Sequence, residues 1–186
     1  MTQYRTVVET AQKNLVVLDV FSKLVQSRIL FIDDVIDDEL ANGIIAQMLY
    51  LDAMDNTKPI NIYINSPGGS IMNGMAIYDV SKIIKSPINT ICIGMAASMA
   101  AILMLMGKER SGLKHSRIML HEASGYNVGK TKDVEVSFNL QKELQAELIA
   151  IVREKTTLTD LEEMFKLDKW FKTNEALECG ILTKIL

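Results

Sequence analysis

The sequence predicts an α/β protein in which strand–helix units repeat around a largely parallel sheet. Short apolar runs of strand length alternate with segments whose apolar residues recur every three or four positions. This alternation is typical of parallel pairing, because each helix returns the chain to the edge where the next parallel strand begins. A length of 186 residues suits one core, and we expect a single domain over 1–186.

The first half of the chain contains three strand candidates and three helix candidates. The first dozen residues are polar, and we expect 1–17 to be a flexible N-terminal segment. The strands are RILFI, INIYIN and INTICIG; the helices are VFSKLVQ, a segment that Asp37 caps, and MNGMAIYDVSKII, which ends before Pro87. The Asp37 helix has an apolar face made of Leu40, Ile44, Met48 and Leu51.

The second half continues the pattern. An apolar helix follows the third strand within Gly94–Gly107, and it is too short to span a membrane. SRIMLH is the next strand, and LQKELQAELIAIV has the spacing of a helix. Thr159 and Glu162 match a capping box for a short helix, and GILTKIL is the predicted final strand.

Composition excludes several classes of protein. A net charge of −3 argues against nucleic-acid binding, which usually needs a basic surface. Two cysteines make no disulfide framework, and Cys92 lies in an apolar run typical of a buried thiol. The first residues lack the apolar core of a signal peptide. We therefore expect a cytoplasmic protein in a reducing compartment, with no membrane partner.

Ser98 is the first residue with possible catalytic chemistry. It follows a strand and begins a helix, where unpaired backbone N–H groups favour negative charge. A hydroxyl there can attack a carbonyl, and the Met99 amide can bind the resulting oxyanion. The alternative is an N-cap serine packed among alanines. The stretch is not GxSxG, so it does not indicate an α/β-hydrolase elbow.

A base and an acid must accompany such a serine. Of the two histidines, His121 ends a strand and His115 lies in a loop, although a strand-end histidine is also often only structural. Asp160 is better explained as part of a helix start. Asp168 precedes the only tryptophan by two residues and is alternatively a solvated surface carboxylate.

NSPGGS follows a strand and offers a third feature. Its two glycines let the backbone approach another group closely, so that an amide can face a substrate carbonyl. An ordinary turn is the alternative. The sequence contains no GxxxxGK[ST], so this loop is not a P-loop.

Five sequence blocks occur together in one order, and this combination is far more specific than any single motif. They are RILFIDDVIDDELANGIIAQMLYLDA, INSPGGSIMNGMAIYD, TICIGMAASMAA, HSRIMLHE and DKWFKTNEALECGILTKIL. In order and approximate spacing they resemble the proteolytic subunits of the Clp protease, the ClpP family of serine peptidases. The resemblance covers nearly everything from about Val20 to the end, and it implies the crotonase-like ClpP fold.

The resemblance implies a role for each site residue. By match to the family, Ser98 is the nucleophile, His121 the base and Asp168 the residue that orients the base. Gly69 and Met99 correspond to the oxyanion-hole amides. The implied acyl transfer needs no metal and no organic cofactor. An extended substrate is expected to bind along Gly68, Ser70, Ile71, Ser124 and Gly125.

The family also implies an assembly. Its members form two stacked heptameric rings around a chamber, and an AAA+ unfoldase feeds unfolded polypeptide into it. The long helix, here about Lys132–Lys155 within a handle region of about 122–155, lies between the rings. Tyr63, Ile91 and Ile93 match the unfoldase-docking pocket, although their strand pattern also fits ordinary sheet core.

Several positions depart from the family pattern. Glu122-Ala123 stands where glutamine-proline is common, and Ala100 where glycine is common. Asn61 replaces an aromatic residue of the docking pocket, and Leu167 replaces a charged residue at ring–ring contacts. The loop between Met106 and Ser116 is about two residues shorter than in familiar members of the family. These departures concern docking, cleavage preference and assembly more than the chemistry.

Two other functions fit the same fold. One is a conditionally active or structural paralogue that works in a mixed ring with a second subunit; the intact triad argues against an inactive subunit. The other is a crotonase-type acyl-CoA enzyme, which would need no Ser–His–Asp set.

Overall fold

The computed structural model describes residues 6–11, 14–125 and 128–186. The strands in these ranges are β1 (Thr6–Ala11), β2 (Asn14–Asp19), β3 (Ile29–Ile32), β4 (Ile60–Ser66), β5 (Ile88–Ala97), β6 (Glu109–Gly112), β7 (Arg117–Leu120), β8 (Lys169–Lys172) and β9 (Lys184–Ile185). The helices are α1 (Val20–Gln26), α2 (Asp38–Met54), α3 (Ile71–Ile83), α4 (Met99–Met104), α5 (Thr131–Lys155), α6 (Leu161–Met164) and α7 (Thr173–Glu178).

Seven of the described strands form one sheet, with β3–β4–β5–β6–β9 as its continuous path. Pairing along this path is parallel throughout. β7 joins β5 in parallel, and β8 joins β7 in the antiparallel direction. The predicted α/β class with a largely parallel sheet is confirmed.

The ten-residue strand β5 has two neighbours on the same side. Its segment Asn89–Cys92 pairs with β6, and its segment Met95–Ala97 pairs with β7. The C-terminal ends of β5 and β7 therefore lie side by side. Since Ser98 follows β5 and His121 follows β7, the topology brings both residues to one edge of the sheet.

One face of the sheet carries the hydrophobic core. In β4, Ile60, Ile62 and Ile64 are fully buried, whereas the alternate residues Asn61 and Tyr63 lie on the opposite, partly open face. The core also contains side chains from α2, α3 and α4. Every residue of α4 is buried, as expected for a helix that is apolar on all sides.

The observed N-cap residue matches the predicted one in α2 and differs from it in α6. Asp37 caps α2, as predicted, by accepting the Leu40 amide at 2.9 Å. The capping box predicted at Thr159 is wrong, because Asp160 is the N-cap residue of α6. Asp160 has a left-handed φ of 51°, and its carbonyl accepts the Met164 amide at 2.9 Å. Its interpretation as part of a helix start is confirmed.

The sequence did not reveal every element. β1 and β2 pair as an antiparallel hairpin within the segment predicted to be flexible, while residues 1–5, 12 and 13 of that segment lie outside the described residues. Its mobility stays a prediction. β6, β8 and α7 are also additional to the predicted elements, and the helix after Ser98 ends at Met104, earlier than Gly107.

Two further findings concern the described part of the chain. It contains no helix that is both long enough and apolar enough to cross a membrane. Cys92 and Cys179 are both free thiols, and Cys92 is fully buried as predicted.

Candidate active site

Ser98 occupies a strained turn between β5 and α4. Its backbone has φ 56° and ψ −126°, a conformation that side chains with a Cβ adopt rarely and at a cost. Backbone bonds hold this turn: the Ser98 amide donates to the Met119 carbonyl at 2.9 Å, and the Ser98 carbonyl accepts the Ala101 amide at 2.9 Å. No feature of the sequence predicted this conformation.

The Ser98 hydroxyl does not cap α4. Ser98 stands at the N-cap position, yet its side chain makes no capping hydrogen bond. Its Oγ lies 2.8 Å from His121 Nε2 instead. The alternative interpretation of Ser98 as an ordinary N-cap serine is therefore wrong.

Only one of the two histidines lies beside Ser98. His121 follows β7 directly, and β7 is paired with the end of β5 that leads to Ser98. His115 lies on an exposed turn, where its carbonyl accepts from the Arg117 guanidinium at 3.2 Å. The fold thus separates the two imidazoles, as their positions in the sequence predicted.

The carboxylate beside His121 belongs to Asp168. β8 pairs with β7 in antiparallel register, with Leu120 opposite Lys169, so the residue after Leu120 lies opposite the residue before Lys169. Asp168 Oδ1 accordingly lies 3.5 Å from His121 Nδ1. The distance is long for a hydrogen bond, a common feature of catalytic pairs without substrate. The His121 side chain is 24% exposed and that of Asp168 is 70% exposed.

Gly69 and Met99 line the same cavity as Ser98 and His121. Gly69 forms a parallel bridge with Ile36, in which the bonded groups belong to Gly68 and Ser70, each at 2.8 Å from Ile36. The Gly69 N–H therefore points away from Ile36. Met99 is the first residue of α4, so its N–H has no intrahelical partner.

Close packing around these amides requires glycine. A Cβ on Gly68 would lie 2.6 Å from the Ala97 carbonyl oxygen and 2.7 Å from Ser98 Cβ. A Cβ on Gly69 would lie 2.5 Å from the Ile36 carbonyl oxygen. Both glycines also have positive φ. The loop is therefore more than an ordinary turn, because only glycine allows its backbone to pack against the strained serine.

Comparisons with known proteins identify the family of this chain. A family model described as Clp protease matches residues 11–186. The chain is 43% identical to an ATP-dependent Clp protease proteolytic subunit of Bacteroides thetaiotaomicron, covering 97% of this chain and 84% of that protein. It is 42% identical to proteins of the same name from Bacteroides fragilis and Porphyromonas gingivalis, with 97% of this chain and 89% or 83% of each relative covered.

The chain belongs to the Clp protease family. This confirms the resemblance drawn from the sequence blocks, and with it the class of serine peptidases. The match extends over the elements that carry Ser98, His121 and Asp168, so the three residues lie within the part shared with the family.

The residues predicted to bind a Clp substrate fall into two groups. Ile71 and Ser124 line the cavity of about 50 Å³ that also contains Ser98. The other three support or flank it: Gly68 packs behind Ser98, Ser70 accepts the Asn73 amide at the start of α3, and Gly125 lies near Gln141.

Sequence reasoning missed the apolar wall of this cavity. That wall consists of Ile102, Leu120, Leu148 and Phe165. In the sequence these residues have the ordinary spacing of core positions, and no motif distinguishes them. Their role as a wall appears only when α4, β7, α5 and the end of α6 meet around Ser98.

The residues matched to the docking pocket share the partly open face of the sheet. Tyr63 is opposite Ile91 in the β4–β5 register, and its ring stacks on Phe31 with centroids 5.5 Å apart. Ile93 is 36% exposed, whereas Ile91 is only 7% exposed and is therefore covered on this face. Asn61, two residues before Tyr63 in β4, accepts a hydrogen bond from the Asn89 side-chain amide at 3.0 Å, so this face contains a polar pair.

Proposed function

We propose that this chain is the serine endopeptidase subunit of an ATP-dependent, self-compartmentalised protease, in which Ser98, His121 and Asp168 are the catalytic triad. The observation that carries the proposal is the 2.8 Å contact between Ser98 Oγ and His121 Nε2 at the tip of a buried helix. The names of the Bacteroides and Porphyromonas relatives support the same activity.

The geometry supports a definite set of proton transfers. The Asp168 carboxylate favours the tautomer that carries the proton on His121 Nδ1, so Nε2 is free to accept the Ser98 hydroxyl proton. Ser98 Oγ then attacks the peptide carbonyl, and His121 passes the proton to the leaving amine. Water enters, His121 removes its proton, and the acyl-enzyme is hydrolysed.

The amides of Gly69 and Met99 supply the oxyanion hole in this proposal. Both residues line the cavity beside Ser98. Because these donors are fixed by the backbone, they need no rearrangement when negative charge develops on the carbonyl oxygen. Each such donor stabilises the transition state by about 3 kcal/mol.

The substrate is an extended polypeptide. We expect it to add a strand beside Gly68–Ile71 and beside the segment that follows His121, with the side chain before the scissile bond in the apolar-walled cavity. Short peptides can adopt this conformation unaided. A folded domain must first be unfolded, at a cost of about 5–15 kcal/mol.

That unfolding requires a separate ATPase, since the sequence has no GxxxxGK[ST] motif of its own. We propose an AAA+ unfoldase that docks near Tyr63, Ile91 and Ile93. To test this, the purified protein is incubated with a stably folded, degradation-tagged reporter, with and without an AAA+ unfoldase and ATP. Loss of the reporter only with the ATPase supports the proposal, and loss without it contradicts the proposal.

We also propose the assembly of two stacked heptameric rings. Exposed apolar residues of α5, namely Val136, Phe138 and Leu140, lie in its first half, while its buried residues, Leu148, Ile149 and Val152, lie in its last third. A helix with this distribution packs on its own domain at one end and offers an apolar surface at the other. A second ring is the proposed cover of that surface, and native mass spectrometry measures the stoichiometry.

A conditionally active subunit in a mixed ring is the second candidate function. The 3.5 Å separation of His121 and Asp168 and the exposure of Asp168 favour it, because a partner could shorten the contact. Native mass spectrometry and peptidase assays, with and without a second proteolytic subunit, distinguish the two functions. Activity that appears only in the mixture identifies the conditional subunit.

The most direct test of the chemistry is covalent labelling. A serine-directed fluorophosphonate is expected to modify Ser98, and peptide mass spectrometry maps the modified residue. A label on any other serine would overturn the proposal. We propose a cytoplasmic location, which the free state of Cys92 and Cys179 supports.

A further inference from the structure

Two glutamines of α5 bind the main chain just beyond His121. Gln145 Oε1 accepts the Ala123 amide N–H at 2.7 Å, and Gln141 Nε2 donates to the Ala123 carbonyl oxygen. The two glutamines lie four residues apart, so they share one face of the helix. Both polar main-chain groups of Ala123 are therefore bonded to one helix. We call this arrangement the glutamine clamp.

The clamp lies next to the catalytic cavity. Ala123 is two residues from His121, and Ala123 and Ser124 line the cavity together with Ser98. On its N-terminal side His121 is held by β7, which pairs with both β5 and β8. The clamp is the corresponding attachment on the C-terminal side. Consecutive Cα atoms are about 3.8 Å apart, and only Glu122 separates Ala123 from His121. A displacement of Ala123 is therefore expected to shift the His121 backbone as well.

The Gln145 side-chain amide has one end bonded and one end without a partner in the described part of the chain. Its Nε2 atom is buried and has no hydrogen-bond partner among the described residues. If the Gln145 side-chain amide were rotated by half a turn, its Nε2 would face the Ala123 N–H. Both groups are donors, so no hydrogen bond could form between them. An apolar side chain would fill the same space without a buried, unsatisfied donor. What the polar end contributes is its bond to Ala123.

We propose that Gln141 and Gln145 are positioning residues, which hold the segment after His121 so that the imidazole keeps its contact with Ser98. This inference rests on the proposed function, in which His121 is the general base. The glutamines do not touch the reacting atoms. They act through the backbone, because a small displacement of a catalytic group from its productive geometry lowers the rate strongly.

The test compares Gln145→Met with Glu147→Met. Methionine has nearly the shape of glutamine, but its sulfur is a much weaker acceptor for the Ala123 N–H than an amide oxygen. Glu147 is an exposed residue of the same helix. Hydrogen exchange measured by mass spectrometry is expected to rise in the peptide that contains 122–125 in Gln145→Met alone. The kcat for a short peptide is expected to fall about tenfold, with little change in KM. The thermal midpoint should stay near that of the wild type, since an unsatisfied buried donor is also removed.

Ala123→Pro provides an independent variant, because proline has no N–H to donate to Gln145. When Gln145→Met is added to Ala123→Pro, kcat is expected to stay at the value of the Ala123→Pro single variant, because the hydrogen bond is already absent. An equal fall in both backgrounds, or unchanged exchange over 122–125 in Gln145→Met, would overturn the clamp. If Ala123→Pro does not assemble, the exchange of Gln145→Met decides alone. A wild-type protein that neither cleaves peptide nor is labelled at Ser98 would contradict the proposed function instead. The hydrogen exchange of 122–125 would still test the glutamine clamp, because it does not depend on activity.

Discussion

Asp168 Oδ1 lies 3.5 Å from His121 Nδ1, and most of the Asp168 side chain faces solvent. The antiparallel register of β7 and β8 creates this contact, since it sets the residues after Leu120 and before Lys169 opposite each other. An exposed carboxylate is partly screened by water and ions, so its effect on an imidazolium is smaller than that of a buried one. Asp168 is thus well placed to select the His121 tautomer and less well placed to stabilise its charge.

Removal of this carboxylate should reduce the rate. Asp168→Asn is expected to lower kcat for a short peptide by about 10²–10⁴-fold, because the amide favours the wrong His121 tautomer. Glu122→Gln is the matched control, since Glu122 is the exposed neighbour of His121 and lies outside the proposed triad. Steady-state kinetics measures both variants. A larger loss in Glu122→Gln would show that the wrong carboxylate has been assigned.

The two histidines make an internal comparison. His121→Ala should lose nearly all peptidase activity, whereas His115→Ala should keep it, because only His121 contacts Ser98. Fluorophosphonate labelling of both variants measures nucleophile activation without turnover. An active His121→Ala beside an inactive His115→Ala would reverse the assignment.

Replacement of Ser98 should separate chemistry from assembly. Ser98→Ala is expected to lose peptide cleavage by about 10⁶-fold, the loss typical of a triad nucleophile. Its assembly should be unchanged, because the Ser98 side chain makes no capping hydrogen bond and its Oγ contacts His121 beside the cavity. Fluorogenic peptide turnover and native mass spectrometry are the two measurements. Normal turnover would exclude Ser98 as the nucleophile.

The backbone at Ser98 makes a separate prediction about stability. Because φ is 56°, Ser98→Gly should raise the free energy of unfolding by about 1–2 kcal/mol while abolishing activity. Denaturant unfolding of Ser98→Gly and Ser98→Ala gives the comparison. Equal stability of the two variants would mean that the turn carries no strain.

Gly68 and Gly43 give a matched pair of glycine substitutions. Gly68→Ala should destabilise the domain and displace Ser98, because the new Cβ meets the Ala97 carbonyl oxygen at 2.6 Å. Gly43→Ala should stabilise α2 by about 1 kcal/mol, because no atom lies within 4 Å of the new Cβ and alanine favours helices. Thermal unfolding and peptidase assays on the pair measure both effects. A tolerated Gly68→Ala would mean that the loop moves freely.

Cysteine reagents should leave the enzyme active. Burial raises the pKa of both the Cys92 thiol and the Cys179 thiol. Little reactive thiolate therefore forms at neutral pH. Iodoacetamide treatment followed by a peptidase assay is the measurement, with fluorophosphonate treatment as the positive control. Rapid inactivation by iodoacetamide would point to a catalytic thiol.

The sequence predicted those strands whose side chains alternate or whose apolar run is continuous. INIYIN has alternating burial as β4, and INTICIG became most of β5. It did not reveal β6, because ERSG has neither a repeat nor apolar character and is a strand only through its pairing with β5 and β9. β8 was missed for a related reason: it has four residues, and only Phe171 is buried.

The candidate site was predictable where it rests on residue type and order, and unpredictable where it rests on conformation. Ser98, His121 and Asp168 could be named from the sequence blocks, although their catalytic roles stay a prediction. The positive φ at Ser98 could not be expected, since serine rarely adopts it. Gln141 and Gln145 read as the polar face of a long helix until the fold brought Ala123 between them.

The pairing of β7 with β8 has a consequence for biosynthesis. Ser98 and His121 directly follow β5 and β7, whereas Asp168 reaches His121 only when β8, which is translated after α5 and α6, pairs with β7. At roughly 5–20 residues per second, several seconds pass between the synthesis of Leu120 and that of Lys169. During that interval the nascent chain holds a serine and a histidine without their carboxylate. The contact between His121 and Asp168 therefore cannot form until β8 has been translated.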